Sequence, residues 1–209
     1  MKYSVLFLLL CTQCNPKEAL YTPVPYHLEI PLLFQEKLIA PLIPIDNLLT
    51  NDGVALGKKL FFDPRLSKDN KISCASCHAP KNAFTENTSF SDGVDGMIGT
   101  RNAMPLFNLA WNFSERFAWD GKEFGLEQQV IDPVSSPIEM NSNWDDVVEK
   151  LQKDSEYPTL FLNAFGTTII QRSLVTKAIA QFERTLISGN SKFDYYLRGE
   201  ATLTNHELN

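Results

Sequence analysis

The sequence predicts a mainly α protein with long irregular loops. Three observations carry that prediction. Apolar residues recur at helical spacing in the last third, most clearly Leu174, Ala178, Phe182 and Leu186, with Val175 and Ile179 beside them. Helix-start signals stand ahead of such stripes, as Asn143 does ahead of Asp145 and Asp146. No alternating strand pattern of useful length occurs, and no internal repeat or low-complexity tract interrupts the chain. With 209 residues there is enough chain for one domain or two small ones around a buried core.

The N-terminus reads as an export signal. Lys2 supplies a short positive region, and Val5 to Leu10 form an apolar run far below the roughly 20 residues a membrane span needs. Cys11 and Cys14 follow directly, and a cysteine at that point resembles a bacterial lipoprotein processing site. The usual small residue before the cysteine is missing at both, since Leu10 and Gln13 stand there. Residues 1–14 are therefore expected to export the protein to the periplasm and to provide a lipid anchor. Cys14 is preferred for its polar follow-on Asn15-Pro16-Lys17-Glu18, and a plainly cleaved signal is the alternative.

Residues 15–47 carry Pro16, Pro23, Pro25, Pro31, Pro41 and Pro44 and read as an extended linker over the surface. Residues 48–199 are expected to form the principal domain. In it Asp52 is expected to cap a short helix bearing Leu56 and Leu60, which Asp63-Pro64 ends. The stretch Cys74-Ala75-Ser76-Cys77-His78 is expected to open another short helix. Lys81 to Arg101 is polar, holds Gly93, Gly96 and Gly99, and reads as a loop. Residues 102–140 have no clear period but bring Phe107, Trp111, Phe113, Phe117 and Trp119, a composition suited to walling a cofactor pocket.

Past Asn143, the residues Val147, Val148 and Leu151 share one helix face, and Gly189 stands where a C′ glycine would close the last long helix. Thr204-Asn205-His206-Glu207 is a capping box that announces a further helix, so residues 200–209 read as the start of a second domain. The formal charge of −6, without clusters of lysine and arginine, argues against nucleic acid as a partner.

Cys74, Cys77 and His78 form C-x-x-C-H, the pattern of c-type haem attachment. Two thiols three apart reach the two vinyl groups on one porphyrin edge, and the adjacent histidine turns onto the iron as axial ligand. Zinc would need a second ligand pair, and His27 and His206 are the only other histidines. A redox dithiol would need a βαβ setting, which the helical pattern does not offer. Covalent haem alone leaves an electron carrier and an enzyme both open, because the difference lies in the sixth iron ligand.

From about Leu56 onward the chain resembles the bacterial dihaem cytochrome c peroxidases and the related methylamine-utilisation dihaem enzymes. The resemblance rests on ordered pieces: Leu56-Gly57-Lys58-Lys59-Leu60-Phe61-Phe62-Asp63, Ser73 to His78, Arg101-Asn102-Ala103-Met104-Pro105 and Trp119-Asp120-Gly121-Lys122. It continues through Leu126-Glu127-Gln128-Gln129, Ile138-Glu139-Met140, Ala164-Phe165-Gly166 and Phe182-Glu183-Arg184-Thr185-Leu186. It implies a cytochrome c-like haem domain that reduces hydrogen peroxide with electrons from a small cytochrome c or cupredoxin. A close variant oxidises another substrate through the same haem. His78 would be the proximal ligand, Glu139 the distal acid–base group and Gln129 a hydrogen-bonding partner of peroxide. Trp119 would be buried and conduct electrons from a second haem, and Asn102 would bind calcium. Family members often form homodimers.

Two departures stand out. Members carry a second C-x-x-C-H in a C-terminal domain, for which Leu203 to Leu208 resembles the first helix. Without that haem, a monohaem electron-transfer module and an inactive fragment stay open as alternatives. Many members also place a histidine between C-x-x-C-H and the Trp-Asp-Gly segment, where it blocks the iron until reduction. Residues 79–118 contain none, and Met97 and Met104 are weak substitutes. The haem is therefore expected to be open or water-bound and active without prior reduction. A purely low-spin, six-coordinate absorption spectrum of the oxidised protein would contradict this.

Overall fold

A computed structural model of the protein describes residues 21–208. The expected signal and lipid anchor, with Cys11 and Cys14, lie outside the described residues. The chain is mainly α, as its sequence predicts. Among the described residues its helices are α1 (Leu32–Lys37), α2 (Asn51–Phe61), α3 (Cys74–Cys77), α4 (Leu126–Gln129) and α5 (Ile131–Ser135). They continue with α6 (Trp144–Gln152), α7 (Tyr157–Phe165), α8 (Arg172–Arg184), α9 (Lys192–Leu197) and α10 (Asn205–Leu208). A two-residue antiparallel ladder, β1 (Arg116–Phe117) with β2 (Glu123–Phe124), pairs Arg116 with Phe124 and Phe117 with Glu123.

The core is built where α2, α6, α7 and α8 meet. Leu56, Leu60 and Phe61 of α2 are buried with Val147 and Leu151 of α6, Tyr157 and Phe161 of α7, and Val175, Ala178, Ile179 and Phe182 of α8. Each of these side chains larger than alanine contributes about 1.5–3 kcal/mol by leaving water. The crossing of α2 on α8 is unusually close because Gly53 and Gly57 stand one turn apart on the contact face. A Cβ on Gly57 would lie 1.8 Å from the Ala178 carbonyl oxygen, and one on Gly53 would lie 2.2 Å from Gln181 Oε1. Glycine is needed there for backbone approach, not for a special φ.

Several local expectations are corrected. The cap of α2 is Thr50, whose extended backbone lets Oγ1 accept from the Gly53 N–H at 3.0 Å. Asp52 lies inside the first turn, where its charge suits the positive end of the helix. Helix α8 stops at Arg184, before Leu186, because Thr185 Oγ1 bonds the Phe182 carbonyl and the Leu186 carbonyl accepts from Asn108 N–H at 2.7 Å. Gly189 is not its C′ residue; a Cβ there would meet Pro31 and Phe34 at 2.8 and 2.9 Å, so it makes room for the α1 segment. The left-handed cap belongs to Gly166, φ +73°, after α7.

The described part of the segment read as a surface linker, residues 21–47, is mostly exposed but is not free of packing. It forms α1, buries Leu33, and sets Phe34 edge-on against Trp111 at 5.1 Å. Asn47 is buried and exchanges hydrogen bonds with Glu127, Lys177 and Gln181. The capping-box expectation at Thr204 is met by α10, with Glu207 accepting from Thr204 N–H at 2.8 Å.

Replacing Gly57 by alanine is expected to lower unfolding stability by about 1–3 kcal/mol, because the Ala178 backbone cannot yield without moving α8. Gly53→Ala is expected to cost less, since it meets the end of a side chain rather than backbone, and Gln181 gives up its bonds to Thr50 and Asn47 to yield. Urea denaturation of the two variants checks the order.

Candidate haem site

Ser73 opens α3 with a capping box to Ser76, and the Ser73 N–H donates to Ser76 Oγ at 3.0 Å. The single helical turn presents Cys74 and Cys77 on one side, and His78 closes it through its N–H to the Cys74 carbonyl at 2.9 Å. The chain then reverses through Ala83 and Phe84, both left-handed at φ 57° and 56°. Non-glycine residues there cost on the order of 1 kcal/mol or more each. That turn aims the Phe84 carbonyl at His78 Nδ1, 3.1 Å away. Nδ1 donates to it, which leaves Nε2 as the lone-pair nitrogen. Burial holds the His78 pKa below its ordinary value, so the ring is neutral and able to ligate at pH 7.

Cys74, Cys77 and His78 line a cavity of about 400 Å³, within the range of small-molecule sites. Every other site residue expected from the sequence lines it too: Asn102, Trp119, Gln129 and Glu139. Gln129 ends α4, which Gly125 (φ +86°) starts. Glu139 follows α5 and is held by its own backbone: its N–H donates to Ser136 and its carbonyl accepts from Val94 at 2.8 Å. Gly93 makes that last contact feasible, since a Cβ there would lie 2.1 Å from the Ile138 oxygen. Burial raises the Glu139 pKa, with Ser136 partly offsetting it and Asp132 adding to it.

Trp119 differs from its expectation. It is 52% exposed on the β1–β2 loop, where it follows the left-handed Ala118 (φ 62°). Its indole N–H donates to the Asn102 carbonyl at 3.0 Å, which ties the two loops together. Met104 lines the cavity, whereas Met97 is 45% exposed and does not.

Glu183 is the residue that sequence reading passed over. It is buried on α8, lines the cavity, and carries a pKa raised by burial to about 8. The signal was present: Val175, Ile179 and Glu183 share one i, i+4 row, so a carboxyl stands where the third apolar residue should.

The residues fit a c-type haem. Both thiols are free, and burial raises their pKa values, Cys77 to about 11, so they stand as neutral thiols. Gln129 Oε1 is buried without a hydrogen-bond partner, as a site awaiting a polar ligand would leave it. Among the described residues no cluster of three His, Cys, Asp or Glu side chains could hold a metal ion. One imidazole, two thiols and a walled apolar cavity together define a cytochrome c-like haem domain.

Comparison with known proteins narrows that class. The family model described as di-haem cytochrome c peroxidase matches residues 51–202, and the chain belongs to that family. The methylamine utilization protein MauG of Methylorubrum extorquens is 43% identical over 158 residues, covering 75% of this chain and 44% of that protein. The cytochrome c peroxidase Ccp of Escherichia coli is 43% identical over 163 residues, covering 77% of this chain and 34% of that protein. The chain thus spans less than half the length of these two relatives. A crystal structure of a MauG-like protein associated with microbial copper homeostasis superposes with a TM-score of 0.76 at 31% identity, covering 86% of this chain and 52% of that one. Membership of the family implies covalently bound c-type haem.

Gly93→Ala is expected to push the Ile138–Glu139 backbone away from its position while leaving α3 untouched. Haem attachment, followed by the pyridine haemochrome spectrum, should be retained, and unfolding stability in urea should fall by about 1–3 kcal/mol.

Proposed function

We propose that the chain is the peroxidatic part of a haem-dependent enzyme that reduces hydrogen peroxide to water with electrons from a small cytochrome c or cupredoxin. The observation that carries this is the placing of Glu139, with a raised pKa, and the orphaned Gln129 Oε1 in the same cavity as Cys74, Cys77 and His78. The haem, when bound, supplies the iron on which peroxide is cleaved and from which electrons reach it.

Cys74 and Cys77 would hold the haem and His78 would ligate its iron, while the Nδ1–H donates to the Phe84 carbonyl. Gln129 Oε1 accepts a hydrogen bond from a peroxide O–H, which orients the molecule. Glu139 would take a proton from one peroxide oxygen and return it to the other, so that water could leave. Two electrons and two protons complete the reduction to two waters. Trp119, exposed on one side, would stand between this haem and a second one in an adjoining domain begun by residues 200–209. Asn102 would hold calcium beside it. Residues 48–199 are then the haem domain, exported to the periplasm, with a lipid anchor at Cys11 or Cys14 and a homodimer as further parts of this reading.

Met104 in the cavity favours a second reading. A thioether on the iron would make the chain a monohaem electron carrier, with no room for peroxide. Cyanide titration separates the two, because a closed iron should respond slowly.

Glu139→Gln is expected to slow the reaction with peroxide by about 10²–10⁴-fold while cyanide binding is retained. In the unaltered protein the base is the carboxylate, so the rate should fall as acidification protonates Glu139. Burial raises its pKa, so the fall should come above the ordinary glutamate value of about 4.3. A stopped-flow pH profile that is flat through that region would count against Glu139 as the base.

A further inference from the structure

Glu183 is an ionisable group that neither the packing nor the peroxide chemistry uses. It is 6% exposed and lines the cavity, and its charge raises the pKa of the Cys74 thiol. The neighbouring cation is committed elsewhere: Arg184 Nη1 and Nη2 hold the two carboxylate oxygens of Glu127 at 2.6 and 3.1 Å. Among the described residues none donates a hydrogen bond to the Glu183 carboxylate. The acid is thus largely buried on the cavity wall, and Arg184, engaged with Glu127, favours its charged form less than burial opposes it.

The elements packed on α8 add little. Helix α4 brings Glu127, which opposes ionisation, and α3 brings Cys74. Lys58 and Lys59 of α2 and Asp145, Asp146 and Glu149 of α6 are exposed, and Lys150 is turned to the Arg65 and Ser67 carbonyls. Helix α7 and the turn Leu109–Trp111 carry no charged residue.

We propose that Glu183 takes up a proton when the iron of a haem held at Cys74, Cys77 and His78 gains an electron, so that reduction of this site is proton-coupled. The inference rests on the haem reading above. The electron comes from the external donor and turns ferric iron ferrous. The proton comes from solvent and turns the Glu183 carboxylate into the acid. The buried unit thereby keeps its net charge. The physical cause is that ferric iron partly compensates a facing carboxylate, and the added electron removes that compensation in a medium of low dielectric.

The test is a potentiometric titration of the haem-loaded chain from about pH 6 to about pH 10, with E183Q and E139Q alongside. A haemochrome spectrum first establishes thioether-bound haem; its absence would overturn the haem reading and this proposal with it. In the unaltered protein the midpoint potential should fall as pH rises around the Glu183 pKa of about 8. The limiting slope is a tenfold change in the reduction equilibrium per pH unit, ~59 mV for one electron. E183Q should be flat through that window, and E139Q should keep the slope. A slope that survives in E183Q belongs to the haem propionates, and one lost in E139Q belongs to the distal acid; either sinks the proposal, as does a flat unaltered protein. Should E183Q fail to fold, the reduced-minus-oxidised infrared spectrum of protein carrying ¹³C-labelled glutamate decides. A protonated-carboxyl band that appears on reduction in both the unaltered and E139Q proteins, and shifts with the label, supports Glu183; its absence overturns it.

Discussion

The contact between Gly57 and the Ala178 carbonyl is the constraint on which the remaining architecture turns. It brings α2 and α8 together at a distance that only a missing side chain allows. Phe61 then meets Phe182 at 5.2 Å and Phe84 at 6.2 Å, so the ring of the residue that fixes His78 is seated on the same crossing. Cys74 and Ala75 pack on the core cluster that this crossing creates. The haem-binding turn is therefore not a loop laid on a finished domain. It is one wall of the core, and its geometry is set by how closely two helices approach.

Much of this was legible in the sequence, and the reasons differ by element. The long helices were visible because their apolar side chains face the core at a 3.6-residue period, as Val147 and Leu151 do on α6 and Val175 and Ile179 on α8, although α8 is buried on every side from Ala178 to Arg184. C-x-x-C-H was visible because covalent chemistry dictates its spacing. Glu139, Gln129 and Trp119 have no local signature; they were placed by resemblance, and the fold brings them around one cavity from α4, the segment after α5, and the β1–β2 loop. Helix α1 was hidden by the prolines that flank it, and Leu33 gives only one buried position from which to infer a face. Gly189 was misassigned because a glycine needed for contact and a glycine needed for a left-handed cap look alike in one dimension. Trp119 was expected to be buried, yet it is 52% exposed on the β1–β2 loop.

Charge is distributed in the same economical manner. Asp63 accepts from Tyr157 at 2.5 Å and from Arg65, which also reaches Asp154 at 2.6 Å, so the polar groups at the far end of α2 satisfy one another. Arg184 and Glu127 do the same beside α4, and breaking such a pair on one side costs about 3–5 kcal/mol when it is buried. Against this background of completed pairs, the cavity is where the accounts are left open: a neutral imidazole, two neutral thiols, an amide oxygen without a donor, and two carboxyls with raised pKa values. Polar groups unsatisfied inside an otherwise satisfied protein mark the part of the surface meant for something else.

The left-handed pair Ala83–Phe84 has a consequence for entropy as well as for geometry. Nδ1 of His78 donates to the carbonyl of Phe84, whose ring packs on Phe61, so the imidazole is oriented before any ligand arrives. Backbone strain spent on one turn thus becomes preorganisation: the side chain has less freedom left to lose when it binds.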